Sequence, residues 1–184
     1  MAEQPTWQRV ESRIAYENPW TSIREDKVIR PDGSPGLYGV VVGRPSVIIA
    51  GFTDDGQIIL TNQYRYPIER FIWELPGGGT DGQPPLEAAK REFWEETGFE
   101  AERWEEAAVF YPMSGLLTET CYVFCAYGLR QTDSHAREEE GIGQVRPVPV
   151  AEIQAMITAG DFLDGQSLAA LLLALKTHGS LKLR

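Results

Sequence analysis

The stretch Arg91-Glu92-Phe93-Trp94-Glu95-Glu96-Thr97-Gly98-Phe99, with Gly77-Gly78-Gly79 ahead of it, decides how this chain is read. It predicts a strand, a glycine loop, a short helix loaded with carboxylates and a glycine stop. Pro84 and Pro85 mark the helix start, where a missing N–H costs little. Gly98 stands where a left-handed C-terminal cap is expected. Glu92 and Glu96 are four residues apart and Glu95 is three from Glu92, so all three lie near one helix face. Like charges so placed destabilise a bare helix. A divalent cation held by oxygen ligands is the natural way to offset the repulsion.

Working outward, Leu86, Ala89 and Phe93 recur at helical spacing and are expected to face a core. Upstream, Ser46 to Phe52, Gln57 to Tyr64 and Phe71 to Leu75 read as strands, the first two joined by the turn Thr53-Asp54-Asp55-Gly56. Downstream, Trp104 to Tyr111 and Thr118 to Leu129 read as strands joined through Pro112-Met113-Ser114-Gly115. Residues 130–144 form a polar loop with Glu138-Glu139-Glu140, Val145 to Pro149 is a short strand, and helices follow over Val150 to Ala159 and Ser167 to His178. Residues 1–44 alternate polar and apolar around turn signals and fit two or three strands, near Ile23 to Ile29 and Leu37 to Val42. That segment is too small for its own core and is expected to pack on the main domain, residues 45–184, or on a second subunit. The order predicts a mixed α/β fold, a sheet with helices on its faces.

The 184 residues suit one domain or one domain with an appendage. A net charge of −10 argues against binding to a nucleic-acid backbone. Cys121 and Cys125 lie along one strand, about 13 Å apart, too far for a disulfide, and are expected to be buried thiols. The longest apolar run, Leu168 to Leu175, is too short to span a bilayer. The N-terminus carries no basic segment followed by an apolar one, so a reducing cytoplasm is the expected location. Gly77-Gly78-Gly79-Thr80-Asp81-Gly82 also fits the spacing of a dinucleotide-binding turn. The acid that should end the following strand is absent, because Glu102, the nearest fit, precedes that strand.

From Gly77 the pattern is Gly, five residues, Gln83, seven residues, then Arg-Glu-apolar-X-Glu-Glu-X-Gly-apolar. It resembles the signature of the Nudix hydrolases, with Gln83 where that family usually has Glu. The resemblance implies a mixed β-sheet sandwiched between helices, here with an N-terminal antiparallel segment. It implies Mg²⁺ (or Mn²⁺) on Glu92, Glu96, the Gly77 carbonyl and Glu95, with Glu95 alternatively a base. Arg91, four residues before Glu95, suits an ion pair that orients that carboxylate.

Asn62-Gln63-Tyr64-Arg65-Tyr66-Pro67 and Trp73-Glu74-Leu75-Pro76 look like pieces of the ADP-ribose and nucleotide-sugar pyrophosphatase branch. Arg65 is then the expected diphosphate ligand, since Arg meets phosphate oxygens bidentately. Arg44 is a second such candidate, and Glu74 is structural or a ligand of a polar substrate group. ADP-ribose enzymes of this branch carry Ser-Pro-Gly beyond the box, where this chain has Met113-Ser114-Gly115. Glu140, then Glu139, stand where the branch often supplies a base. Tyr16, Trp20 and Tyr38 are aromatic candidates for stacking on a base or for core and interface packing, and the resemblance implies a homodimer in which the N-terminal segment of one subunit enters the other's site. The expectation is Mg²⁺-dependent hydrolysis of a diphosphate bond in a nucleoside diphosphate linked to a sugar. ADP-ribose comes first, GDP-mannose or another nucleotide-sugar second. A non-catalytic nucleotide sensor on the same fold is the alternative from another class.

Overall fold

The computed structural model describes residues 6–132 and 141–181. In chain order the strands are β1 Gln8–Glu17, β2 Ser22–Ile29, β3 Pro35–Val41, β4 Ser46–Gly51, β5 Ile58–Arg65, β6 Arg70–Glu74 and β7 Gly77–Gly79. Helix α1 spans Pro85–Thr97. Then come β8 Phe99–Phe110, β9 Cys121–Gln131, β10 Ile142–Val148, α2 Val150–Ala159 and α3 Gly165–His178.

These elements form two compact units. One takes the described residues up to Arg44 together with Tyr111–Thr120. In it β1, β2 and β3 form an antiparallel meander. The segment 111–120, expected to hold the end of one strand, the connection Pro112-Met113-Ser114-Gly115 and the start of the next, instead belongs to this unit. Val41 donates its N–H to the Leu116 carbonyl and accepts from Thr118 N–H, and the Tyr38 hydroxyl donates to the Gly115 carbonyl. Of its described residues only Asp26 and Val28 are buried. Asp26 is held by Arg24 and Ser12.

The other unit carries the main core. β4 is the clearest case of a strand covered on both faces, and period-two alternation divides its side chains. Ile48 and Ala50 join Val123, Cys125, Ile153, Phe162 and Leu171 on the side of α2 and α3. Val47 and Ile49 join Ala89, Phe93, Phe124 and Ala126 on the side of α1. Strand order is β7-β4-β9-β8 in one sheet, with β4 and β9 parallel and the other pairs antiparallel, and β10-β5-β6 in a second. This is the expected sandwich of mixed sheet between helices. Ala89 and Phe93 face the core and Leu86 packs against it. Both cysteines are free and buried. Among the described residues no helix is long and apolar enough to cross a membrane.

Several boundaries differ from the sequence reading: β9 begins at Cys121 rather than Thr118, and β10 at Ile142 rather than Val145. β1 is the third of the two or three strands expected of residues 1–44, and it is exposed along its length. Gly77–Gly79 is a short strand on β4 rather than loop. β8 begins at Phe99, not Trp104, because Phe99, Ala101 and Trp104 point inward while charged residues between them point out.

Candidate active site

The glycines of β7 are small for a steric reason. Gly77 and Gly78 pair with Ile48 and Val47. A Cβ on Gly77 would lie 2.2 Å from the Val47 carbonyl oxygen, and one on Gly78 would lie 2.6 Å from the Glu92 carboxyl. Backbone and helix therefore meet with no side chain between them. Pro85 opens α1, and Gly98 closes it in the left-handed region at φ 73°, its N–H donating to the Trp94 carbonyl.

This docking presses Glu92 and Glu96 into the unit, 7% and 4% exposed. Gly77 N–H donates to Glu96 Oε2 over 2.8 Å. Burial, aided by the charges of Glu92 and Glu74, pushes the Glu96 carboxyl up to about 8 against that hydrogen bond. Glu95 is more open and takes the expected ion pair from Arg91 Nη1 at 2.9 Å.

Arg91 is the hub of the helix. Besides Glu95, its Nη2 reaches Glu92 Oε1 at 2.9 Å and donates to the Gly79 carbonyl at 2.9 Å, and its Nε donates to Gln83 Oε1 at 3.0 Å. Asp81, at φ 49°, adds a longer contact of 3.4 Å. The sequence reading did not find Gly79 or Asp81 as partners. A guanidinium with five donors needs acceptors, and the only signal was the turn Gly79-Thr80-Asp81-Gly82 in reach of it.

Gly77 and Gly78 also border a cleft of about 420 Å³ lined by Ile48, Arg65, Ile72 and Glu74. Arg65 Nε and Nη2 reach Glu74 Oε2 at 3.1 and 2.9 Å. The Glu74 side chain is 3% exposed, and its Oε1 has no hydrogen-bond partner among the described residues. Burial raises Glu74 to about 7 despite Arg65.

The structure thus brings Gly77, Glu92, Glu95, Glu96, Arg91, Arg65 and Glu74 into one unit. Tyr16, Trp20, Arg44, Ser114 and Gly115 belong to the other. Tyr16 and Trp20 are 54% and 87% exposed, and the Gly115 carbonyl is used by Tyr38. Glu139 and Glu140 lie outside the described residues.

Residues 42–171 match the model of the NUDIX domain, and residues 7–41 that of the nucleoside diphosphate sugar hydrolase N-terminal domain. The chain belongs to the Nudix family. It is 30% identical over 169 residues to an ADP-ribose pyrophosphatase of Mycobacterium tuberculosis, covering 90% of this chain and 82% of that one. It is 32% identical over 149 residues to a GDP-mannose pyrophosphatase of Yersinia enterocolitica, covering 76% and 77%. A crystal structure of an ADP compounds hydrolase superposes with a TM-score of 0.85 at 20% identity, covering 98% of this chain and all of that one.

Nudix enzymes generally need a divalent metal. The oxygen donors here suit a hard cation. Glu92 and Glu96 are buried one helical turn apart, and the missing Cβ of Gly78 makes room for the Glu92 carboxyl. Among the described residues no cluster of three metal-binding side chains is preassembled. Glu92 and Glu95 turn one oxygen to Arg91, and Glu96 turns Oε2 to Gly77 N–H.

Proposed function

We propose that this chain is a Nudix pyrophosphatase that splits the diphosphate bond of a nucleoside diphosphate linked to a sugar, ADP-ribose first, with Mg²⁺ as its cation. The products are a nucleoside monophosphate and a sugar phosphate. The observation that carries the reading is the pairing of opposite charges around Gly77–Gly78: buried Glu92 and Glu96 beside that backbone, and Arg65 in the cleft it borders.

Glu92, Glu96 and the Gly77 backbone would hold the cation, with Glu95 a further ligand or a base. A bound divalent ion neutralises diphosphate oxygens and acidifies water. The chain's own residues do the rest. Arg65 binds a phosphate oxygen and orients the diphosphate. Arg91 fixes Glu92 and Glu95 on one face of α1. Apolar walls at Ile48 and Ile72 limit water beside the reacting bond. Glu139 and Glu140 stay candidates for the base.

A GDP-mannose or other nucleotide-sugar substrate is the second reading, favoured by Ser114 and by the Yersinia relative. The N-terminal unit, with Trp7, Val10, Ile14, Tyr16, Trp20 and Leu37 exposed, would serve as the dimerisation segment of a homodimer. Two free buried thiols suit a reducing cytoplasm. The test is a hydrolysis panel of ADP-ribose, GDP-mannose, other nucleotide-sugars, NADH and diadenosine polyphosphates, with and without Mg²⁺. Mg²⁺-stimulated release of a nucleoside monophosphate from ADP-ribose is expected. Metal-stimulated turnover of none of them overturns the reading in favour of a nucleotide sensor.

A further inference from the structure

We infer that Glu74 is the positioning residue that lays Arg65 along the cleft for the diphosphate, a role that rests on the pyrophosphatase reading above. Arg65 ends β5 and pairs with Arg70 at the tip of the β5–β6 hairpin. Glu74 lies four rungs back, opposite Thr61. The rungs Arg65–Arg70, Gln63–Ile72 and Thr61–Glu74 share one face by the period of two. The Arg65 and Glu74 backbones are therefore separated by about 13 Å along the strand direction. The ion pair closes that gap only because the Arg65 side chain runs back down the hairpin toward Glu74.

Arg65 itself is 44% exposed, so without that partner it has solvent to swing into. Nε and Nη2 converge on the single oxygen Oε2. One edge of the guanidinium is thereby fixed, and the Nη1 side is left to meet phosphate oxygens in the fork geometry Arg supplies. Leu75, next in the chain, has its N–H held by the buried Ser167 hydroxyl at 2.9 Å, which fixes the strand end from which Glu74 projects.

Fold stability does not account for this arrangement. Glu74 is the buried half of the pair, and a buried carboxylate barely recovers its desolvation cost from a half-exposed partner. Glu74 keeps Oε1 buried and, among the described residues, unpartnered, which adds to that cost. The arrangement is therefore a local cost whose return is an oriented Arg65.

The experiment is a double-mutant cycle of wild type, Glu74→Gln, Arg65→Ala and the double variant. It is read by ADP-ribose hydrolysis with Mg²⁺ and by calorimetric binding of ADP with Mg²⁺. Gln keeps the volume of Glu, and thermal unfolding checks each variant; should Arg65→Ala not fold, Arg65→Lys closes the same cycle. Glu74→Gln is expected to raise KM and the ADP Kd by about fivefold or more with kcat changed less than about threefold, and to add nothing once Arg65 is gone. Effects that multiply in the Arg65→Ala background, or a Glu74→Gln Kd within about twofold of wild type, overturn the inference. A wild type that turns over ADP-ribose while the cycle is multiplicative removes only the role of Glu74. A wild type that neither hydrolyses ADP-ribose nor binds ADP removes both readings.

Discussion

The carboxyl of Glu92 stands where a side chain on Gly78 would begin, 2.6 Å from the position of its Cβ. The contact links strand β7 to the helix that follows it. Gly78→Ala displaces the carboxyl, the far end of a flexible side chain, rather than the strand, so the fold survives while Glu92 is moved. The expected result is a folded protein whose Mg²⁺-dependent kcat falls at least about tenfold, equivalent to about 1.4 kcal/mol in the barrier. Activity and thermal unfolding, measured together, check it: wild-type kcat in Gly78→Ala means Glu92 has no fixed place to keep.

Arg91 gathers Glu92, Glu95, Gln83 and the Gly79 carbonyl through its three nitrogens, Nη2 serving both Glu92 and Gly79. Lys carries the charge but not the fork. Arg91→Lys should therefore release Glu92 and Glu95 to wander on the helix, and kcat/KM should fall by about 10²-fold, close to 3 kcal/mol. Gln83 accepts from the Arg91 Nε as a Glu would. The pair is solvent-exposed, so Gln83→Glu should alter stability by no more than about 0.5 kcal/mol. Its kcat should stay near wild type, whereas Gln83→Ala removes the acceptor and should lower it. Steady-state rates of the three variants decide the matter; a large gain from Gln83→Glu would mean that the neutral residue costs activity.

Glu92 and Glu96 are buried one turn apart, with Glu74 adding to the local negative potential. A cation that binds only the folded state stabilises it by mass action, about 2.7 kcal/mol at a hundred times its Kd. Mg²⁺ should raise the thermal midpoint of wild type, and EDTA should abolish both the rise and turnover. Glu96→Gln removes one of the crowded charges. Metal-free, it should melt no lower than wild type, yet gain nothing from Mg²⁺. Differential scanning calorimetry with and without the ion separates the two effects. A Glu96→Gln variant that still responds to Mg²⁺ would take Glu96 out of the ligand set.

What was legible in the sequence was local. Leu86, Ala89 and Phe93 repeat at helical spacing, and Pro85 and Gly98 punctuate the ends, so α1 is found to within a residue. β4 betrayed itself by apolar composition. What was missed depends on partners distant in sequence or on backbone groups. The Gly79 carbonyl that Arg91 uses has no residue identity to read. The pairing of Val41 with 116–118 joins segments some 75 positions apart, and nothing in Pro112-Met113-Ser114-Gly115 announces it. The start of β8 was hidden by its charges, which mark one face of a strand as readily as a loop. The link between Arg65 and Glu74 was legible in principle, since strand parity puts both on one face once the hairpin register is known.

The buried thiol of Cys125 offers a stability test remote from the cleft. Burial raises its pKa from 9.0 to about 11, and burial together with the neighbouring thiol raises Tyr127 to about 12. Both groups are thus held neutral in the folded chain and ionise more readily when it unfolds. The folded state then binds more protons than the unfolded one above pH 9, so the contribution is complete below that pH and is lost as pH rises toward 11. The packing around them is continuous: Phe52 stacks on His178 with ring centroids 4.1 Å apart and on Tyr127 at 5.4 Å, and Arg103 covers the Tyr127 ring at 3.7 Å. The expected outcome is a thermal midpoint that falls between pH 9 and 11, with less fall in Cys125→Ala than in wild type. Alanine leaves a small cavity and lowers the midpoint at every pH, so the comparison is of slopes. At pH 8 neither native thiol should react with a disulfide reagent on the timescale in which the unfolded chain reacts completely. Rapid labelling of Cys125 in the folded protein, or equal slopes for the two chains, would show that the thiol is not sealed in as the structure has it.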